Sequence, residues 1–332
     1  KPKNSFIRWA VAQGFTVFVI SWVNPGADLA DKTFEDYMFE GPMAAMNAIR
    51  EATSEPELNI IGYCLGGTLT ACLLAYLAAQ GDDRVQAATF FTTMTDFEEP
   101  GELAVFIDDP QLDKLEDHMR HTGYLEAKHM QSVFSMMRAN DLIWSFVIHN
   151  YLLGREPLAF DLLYWNNDST RMPAMMHSFY LRKMYQQNLL TQPGAVSLGG
   201  VPIDLKQIKI PAYFLSTRED HIAPWKSTYR GSRLLGGDVR FVLGGSGHIA
   251  GVINPPAANK YGYWVGEHQA DDAETWLQRA TYHEGSWWTD WSAWAAPHSG
   301  DQIPTRVPCE GKLPALEAAP GSYVMTRANV SS

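Results

Sequence analysis

One short segment constrains the fold of this chain more than any other. The apolar run at 58–63 (LNIIGY) is typical of a buried strand, and the run at 68–79 (TLTACLLAYLAA) is typical of a helix. Between them stands Gly-x-Cys-x-Gly, with Cys64 at the turn. Such a turn is a nucleophile elbow, which holds one side chain in a strained conformation at a sheet edge. We expect glycines 62 and 66 to let neighbouring backbone approach without a Cβ clash.

Two interpretations of Cys64 remain open on this motif alone. In the catalytic one, the N-terminus of the following helix stabilises a thiolate, and the amide of Leu65 donates one hydrogen bond to an oxyanion. The second oxyanion donor normally comes from a loop after an earlier strand, and we do not identify that loop in this sequence. In the structural interpretation, Cys64 is a small buried residue at a tight turn.

Strands and helices alternate on both sides of a long helical stretch. Apolar, β-rich runs predict strands at 15–21, 58–63, 86–93, 210–217 and 239–243. Helices between them imply parallel βαβ units. We therefore predict an α/β fold of the α/β-hydrolase type, with a mostly parallel sheet and an inserted helical cap. Its expected parts are a first core segment with the elbow (1–95), the cap insertion (96–205), and a second core segment with an irregular tail (206–332).

A nucleophile on such a fold needs an acid and then a histidine, each in a loop after a later strand. Asp220 follows the first strand after the cap, and His248 follows the next one. Glu219 and His221 flank Asp220, and a plain helix-capping role for Asp220 is the structural alternative. Because three independent placements agree, we predict a triad of Cys64, Asp220 and His248.

Composition excludes several other classes of protein. The formal net charge of −11 argues against a general nucleic-acid binder, and no apolar run is long enough to cross a bilayer. Three cysteines, at 64, 72 and 309, are too few for a disulfide framework, so a reducing, cytoplasmic setting is expected. We find no CxxC or HExxH metal spacing and no phosphate-binding glycine loop. No metal site is predicted.

Several longer segments match one known family in order along the chain. GYCLGGTL, FDLLYWNNDSTRMP, REDHIAPW, SGHIAGVINPP and GSWWTDW together resemble class I polyhydroxyalkanoate synthases, from the first residues to about residue 294. The resemblance implies an α/β-hydrolase fold with a helical cap over the active site. It also implies Cys64 as the acylated nucleophile, His248 as the base and Asp220 as the third member. His221 and Trp165 fall in matching motifs, which places them near the substrate.

The resemblance further implies a reaction and its partners. Members of the family polymerise (R)-3-hydroxyacyl-CoA with release of CoA, so the CoA thioester is a substrate and no cofactor is expected. The growing polyester chain, the surface of a polymer granule and a second copy of the chain are the implied partners, in the cytoplasm. The family also has an N-terminal domain and an early Pro-Pro-Trp-Ile-Asn-Lys segment, which this sequence does not contain. The sequence begins like the middle of a domain, so we expect a preceding segment.

Two other functions remain as alternatives. One is a cysteine-nucleophile thioesterase or esterase of the same fold, which a short or polar cap would favour. The other is a non-catalytic scaffold that binds a hydrophobic granule through aromatic surfaces, such as the four tryptophans between 287 and 294. A long apolar insertion favours polymerisation over hydrolysis, and the predicted triad argues against the scaffold.

Overall fold

The structure is a computed structural model that describes residues 2–137, 143–145, 147–156, 170–267, 270–308 and 311–325. The chain divides into two compact units. The first comprises Lys1–Ile20, Glu35–Ala104 and Arg182–Ala315, and the second comprises Ser21–Phe34, Val105–Leu181 and Leu316–Ser332. The domain boundaries that we expect from the sequence stay a prediction.

Helices and strands are numbered here along the described chain. The strands are β1 (Leu58–Tyr63), β2 (Val85–Phe91), β3 (Tyr124–Leu125), β4 (Met172–Pro173), β5 (Ser197–Leu198), β6 (Val201–Pro202), β7 (Ala212–Thr217), β8 (Val239–Gly244), β9 (Tyr263–Val265) and β10 (Thr281–His283). The α-helices are α1 (Phe6–Ala12), α2 (Phe34–Met38), α3 (Ala44–Thr53), α4 (Leu65–Gln80), α5 (Asp109–Thr122), α6 (Ala127–Met137), α7 (Ala174–Phe179), α8 (Trp225–Ser232), α9 (Ala273–Arg279) and α10 (Trp288–Ala295).

A six-stranded sheet organises the first unit. Its strand order is β1-β2-β7-β8-β9-β10. The first four strands are parallel, and β9 and β10 continue the sheet in antiparallel pairing. The predicted α/β-hydrolase type of fold, with a mostly parallel sheet, is confirmed. Since parallel strands end at one edge, the residues that follow β1, β7 and β8 are brought to the same edge of the sheet.

The interior strands have the burial that their sequences predict. All six residues of β7 are buried, as are all but one in β2, because helices cover both faces of a parallel sheet. Helix α4 is apolar on nearly every side, and ten of its residues are buried. The element that carries the elbow is therefore embedded in the core, which fixes the position of the turn before it.

The strand predicted at 15–21 was wrong. This segment forms no ladder with any strand in the part of the chain that the structure describes. Phe18 and Val19 are 50% and 60% exposed, whereas the prediction had the run covered on both faces. Local sequence supplies the apolar, β-rich pattern, but a strand also needs a neighbouring backbone to satisfy its N–H and C=O groups.

Tryptophans near the end of the first unit are packed inside it. Trp287 and Trp288 are each 1% exposed, and Trp291 is 5% exposed. They form one cluster with the aromatic rings of Phe6 and Trp9 from α1. These three tryptophan side chains therefore pack in the core and do not form an exposed binding surface.

The second unit is helical and contains a short two-stranded ladder. Helices α5, α6 and α7 belong to it, and β3 pairs with β4 in antiparallel register. Asp108 caps α5 by accepting a hydrogen bond from the amide of Gln111 at 2.9 Å, and α5 ends at Gly123 with φ of 82°. No helix in the described ranges is both long and apolar enough to span a bilayer.

Candidate active site

Cys64 occupies a strained turn between β1 and α4. Its backbone has φ 52° and ψ −122°, a conformation that non-glycine residues rarely adopt. The turn is held from several directions: the Cys64 amide donates to the carbonyl of Phe91 at 2.8 Å, and the Cys64 carbonyl accepts from the amide of Gly67 at 2.9 Å. Leu65 is the first residue of α4, so its amide has no acceptor within the helix. The Cys64 side chain is partly exposed.

Two glycines make this turn sterically feasible, and they are not the pair that the sequence suggested. A Cβ on Gly62 would lie 2.5 Å from the Gly67 Cα and 2.7 Å from the Gly66 carbonyl oxygen. A Cβ on Gly67 would overlap the Thr93 side chain, with its Cγ2 at 2.6 Å. A Cβ on Gly66 would meet no atom within 4 Å. The expectation for Gly62 is therefore confirmed, whereas the one for Gly66 was wrong, because the close approach falls on Gly67.

Asp220 lies in the turn after β7, with its carboxylate fully engaged. One oxygen accepts hydrogen bonds from the amides of Ile222 and Ala223, both at 2.9 Å. The other oxygen lies 2.7 Å from Nδ1 of His248 and accepts a longer bond from the hydroxyl of Thr217 at 3.3 Å. Four partners fix the orientation of this group, so it can hold the His248 ring in one position. The neighbouring Glu219 is exposed instead.

His248 follows β8 and is 7% exposed. Because Nδ1 faces Asp220, the other ring nitrogen is available to Cys64, and Cys64 lies close enough to the ring to raise the pKa of His248. Burial lowers the pKa of His248, but the hydrogen bonds to Asp220 and Cys64 and the negative charges of both residues outweigh this effect. The net result is a pKa raised from its ordinary value to about 10. An imidazolium is therefore favoured at neutral pH.

Tyr63 is a neighbour of His248 that the sequence did not single out. Its hydroxyl donates to the backbone carbonyl of His248 at 2.6 Å, and its ring contacts the imidazole edge to face at 5.4 Å. Burial raises the pKa of Tyr63 far above its ordinary value, so the hydroxyl stays a donor. Nothing in the motif indicates this contact, since Tyr63 is the variable residue of Gly-x-Cys.

Indole nitrogens of the tryptophan cluster hold the turn that follows His248. Trp287 donates to the carbonyl of Gly251, and Trp288 donates to the carbonyl of Val252, each at 2.9 Å. A Cβ on Gly251 would lie 2.5 Å from the Thr217 side chain, so the loops after β7 and β8 pack tightly together. The tryptophan-rich segment therefore supports the turn that follows His248.

The remaining residues that the sequence indicated have different outcomes. His221 lies in the same turn as Asp220 and is partly buried, and its role toward a substrate stays a prediction. Trp165 lies outside the described residues. Cys72 is fully buried in α4, and burial raises the pKa of its thiol to about 12, which agrees with a packing role.

A model of a known protein family matches this chain. A profile described as "alpha/beta hydrolase fold" matches residues 3–255, which is most of the chain. The chain belongs to the alpha/beta hydrolase fold family. In that family a nucleophile follows a parallel strand at an elbow, and an acid and a histidine come later in the chain. Cys64, Asp220 and His248 occupy those positions in β1, β7 and β8 order.

Curated relatives with high sequence identity to this chain share one name. The chain is 54% identical over 327 residues to a poly(3-hydroxyalkanoate) polymerase subunit of Rhizobium meliloti, covering 98% of this chain and 53% of the relative. It is 51% identical to a poly(3-hydroxyalkanoate) polymerase of Methylorubrum extorquens, and 40% identical to a polymerase subunit of Cupriavidus necator. These matches cover 98% and 99% of this chain, and 54% and 57% of the two relatives. The resemblance to polyhydroxyalkanoate synthases is confirmed, and the chain spans about half the length of these relatives.

Proposed function

We propose that this α/β-hydrolase-fold chain is the catalytic core of a polyhydroxyalkanoate synthase, which polymerises (R)-3-hydroxyacyl-CoA through an acyl-cysteine at Cys64. One observation carries the proposal: a cysteine on a strained elbow follows β1, and a buried histidine close enough to influence it electrostatically has its Nδ1 2.7 Å from a fully engaged carboxylate. The likeness to relatives with the name poly(3-hydroxyalkanoate) polymerase supplies the substrate class.

Loading begins with the thiolate of Cys64. Its sulfur attacks the thioester carbonyl of the acyl-CoA, forms a new carbon–sulfur bond, and expels CoA as a thiolate. His248 gives its proton to the departing CoA sulfur and becomes neutral. The amide of Leu65, at the N-terminus of α4, donates to the oxyanion that forms during this step. One thioester replaces another, so loading is nearly balanced in free energy.

Chain growth uses the same base in the opposite sense. Neutral His248 removes the proton from the 3-hydroxyl of a second acyl unit or of the growing chain. The resulting oxygen attacks the acyl carbon on Cys64, a carbon–oxygen ester bond forms, and the bond to sulfur breaks. The thiolate is then restored beside the imidazolium. Asp220 holds Nδ1 of the ring, which leaves the other ring nitrogen free for these proton transfers.

The alternative function is a cysteine thioesterase, in which water replaces the 3-hydroxyl at the second step. Loading is identical in the two cases, so the triad geometry does not separate them. The difference lies in the fate of the acyl group on Cys64. A polymerase transfers that group to another hydroxyacyl unit, whereas a thioesterase releases a free hydroxy acid.

A single assay separates these functions. The protein is incubated with (R)-3-hydroxybutyryl-CoA, and released CoA thiol, free hydroxy acid and insoluble polyester are all measured. We expect CoA release with polyester and little free acid. Release with free acid alone would indicate the thioesterase, and no release would leave the non-catalytic scaffold. Cys64→Ala is the matched control, which should abolish CoA release.

The partners and location follow from the same proposal. We propose that the CoA thioester is a substrate and that the reaction uses no separate cofactor. The growing polyester is the product, and it stays bound to the protein while it grows. Residence at the surface of polymer granules and pairing with a second copy belong to the proposal. Fractionation of the protein with isolated polyester particles, and its mass in solution with and without substrate, test these two points.

A further inference from the structure

Three metal-ligating side chains converge in the second unit, away from the triad residues in sequence. His118 lies on α5, Glu126 lies between β3 and α6, and His129 lies in the first turn of α6. One possible ligand atom from each of the three residues lies within 4.8 Å of those of the other two. The His118 and His129 side chains are 43% and 42% exposed, and Glu126 is 29% exposed, so solvent can reach the cluster.

The separations in this cluster differ from those of direct hydrogen bonds. The Glu126 oxygen lies 3.6 Å from His118 Nε2 and 3.5 Å from His129 Nδ1. A hydrogen bond between such atoms would bring them to about 2.7–3.2 Å. Two ligands on one tetrahedral zinc ion, with bonds of about 2.0–2.2 Å, are instead about 3.4 Å apart. Each histidine nitrogen is therefore spaced from this oxygen as neighbouring ligands are in a coordination shell.

Further observations agree with a ligand role. Nδ1 of His129 is shielded from solvent and has no hydrogen-bond partner among the described residues. The two rings meet edge to face, with centroids 4.9 Å apart and planes inclined by 79°, so they do not stack on each other. Two imidazoles with one carboxylate form a ligand set that suits Zn²⁺, and solvent supplies the fourth position.

We propose that His118, Glu126 and His129 form a binding site for a divalent zinc-like cation that joins α5 to the start of α6. The route of the chain explains how the three residues meet. Helix α5 ends at Thr122, Gly123 caps it, and the two-residue strand β3 follows at once, so α6 starts beside the last turns of α5. This inference does not depend on the proposed catalytic function.

The positive charge of Lys128 competes with a cation for Glu126, and this competition can be tested. Nζ of Lys128 forms an ion pair with the same Glu126 oxygen at 2.8 Å. A metal ion on that oxygen must displace this ammonium group or share the carboxylate with it. Removing the charge in Lys128→Met should therefore tighten metal binding, while the melting temperature without metal checks that this variant is folded.

The experiment uses tag-free protein with Cys64→Ala, so that the triad thiol cannot bind metal. Co²⁺ is titrated and followed by visible absorption, and Zn²⁺ is then added in competition. We expect one equivalent of Co²⁺ with visible d–d bands, displacement by Zn²⁺, and a higher melting temperature with Zn²⁺. His129→Ala and Glu126→Gln should each weaken binding by about tenfold or more, since even outer-shell partners contribute that much.

His121 is the matched control, because it lies on the same helix one turn after His118 but outside the cluster. His121→Ala should leave the Co²⁺ affinity unchanged. The proposal is overturned if Co²⁺ does not saturate, if the His121 variant loses as much affinity as the His129 variant, or if Lys128→Met binds no more tightly. A thiolate-to-cobalt charge-transfer band would assign the binding to another cysteine and would also overturn it.

Discussion

Adjacent glycines in the elbow give the most informative perturbation of this structure. Gly67→Ala places a Cβ 2.6 Å and 2.7 Å from two carbons of Thr93, about 1 Å closer than carbon atoms normally approach. Thr93 is 1% exposed and donates to the carbonyl of Phe91 at 3.1 Å, so it cannot turn away freely. Gly66→Ala is the matched control, because its Cβ meets no atom within 4 Å.

The expected magnitudes follow from these contacts. Overpacking costs about 1–3 kcal/mol, and a weakened buried hydrogen bond adds about 1 kcal/mol. Replacing glycine by alanine in a helix returns up to about 1 kcal/mol at either position. Gly67→Ala should therefore lower the free energy of unfolding by about 1–3 kcal/mol. Gly66→Ala should be neutral or slightly stabilising.

Urea unfolding, followed by fluorescence of the buried tryptophans, compares the two variants with the parent protein. The Gly67 variant should have a clearly lower midpoint, whereas the Gly66 variant should match or exceed the parent. CoA release should fall in the Gly67 variant, because the Gly67 amide bonds the Cys64 carbonyl at 2.9 Å. Equal losses of stability in both variants, or full stability of Gly67→Ala, would refute the steric account.

Three further predictions concern ionisable groups and their supports. Tyr63→Phe removes the 2.6 Å bond to the His248 carbonyl but keeps the ring, so kcat for CoA release should fall about 2- to 10-fold with little change in KM. The folded-state pKa of His248 is raised to about 10, so its contribution to stability is complete below about pH 6.5 and is lost as the pH rises toward 10. Asp220→Asn should reduce the difference in free energy of unfolding between pH 6 and pH 9, measured with urea. An unchanged difference would contradict the assignment. Burial lowers the pKa of His177 to about 4, so the free energy of unfolding should fall by about 3 kcal/mol as the pH drops from 6.5 to 4. His177→Leu should remove this part of the loss. Melting temperatures of both proteins across this pH range test the prediction.

The sequence predicts the parts of the site that depend on short segments and on a general property of parallel sheets. An apolar strand, a glycine-flanked cysteine and an apolar helix are contiguous in sequence, so the elbow is visible at once. Asp220 and His248 are 28 residues apart, yet they meet because parallel strands end at one edge. Their contact could therefore be expected without knowing any side-chain position.

Features that depend on distant partners were not predictable in this way. The segment at 15–21 has a strand-like pattern, but no described strand pairs with it. Gly67 rather than Gly66 meets another segment because Thr93, 26 residues later, packs against it. The His118 cluster has the spacing His-x7-Glu-x2-His, which depends on the turn through β3 and matches none of the metal motifs that we searched in the sequence.

The central claim is that Cys64 carries the acyl group. The most direct measurement is mass spectrometry of the protein quenched in acid during turnover of (R)-3-hydroxybutyryl-CoA, with the modified peptide sequenced. We predict one or more hydroxyacyl units in thioester linkage on Cys64, with no such adduct in Cys64→Ala. An acyl group on any other residue, or wild-type CoA release by the Cys64→Ala protein, would contradict the account.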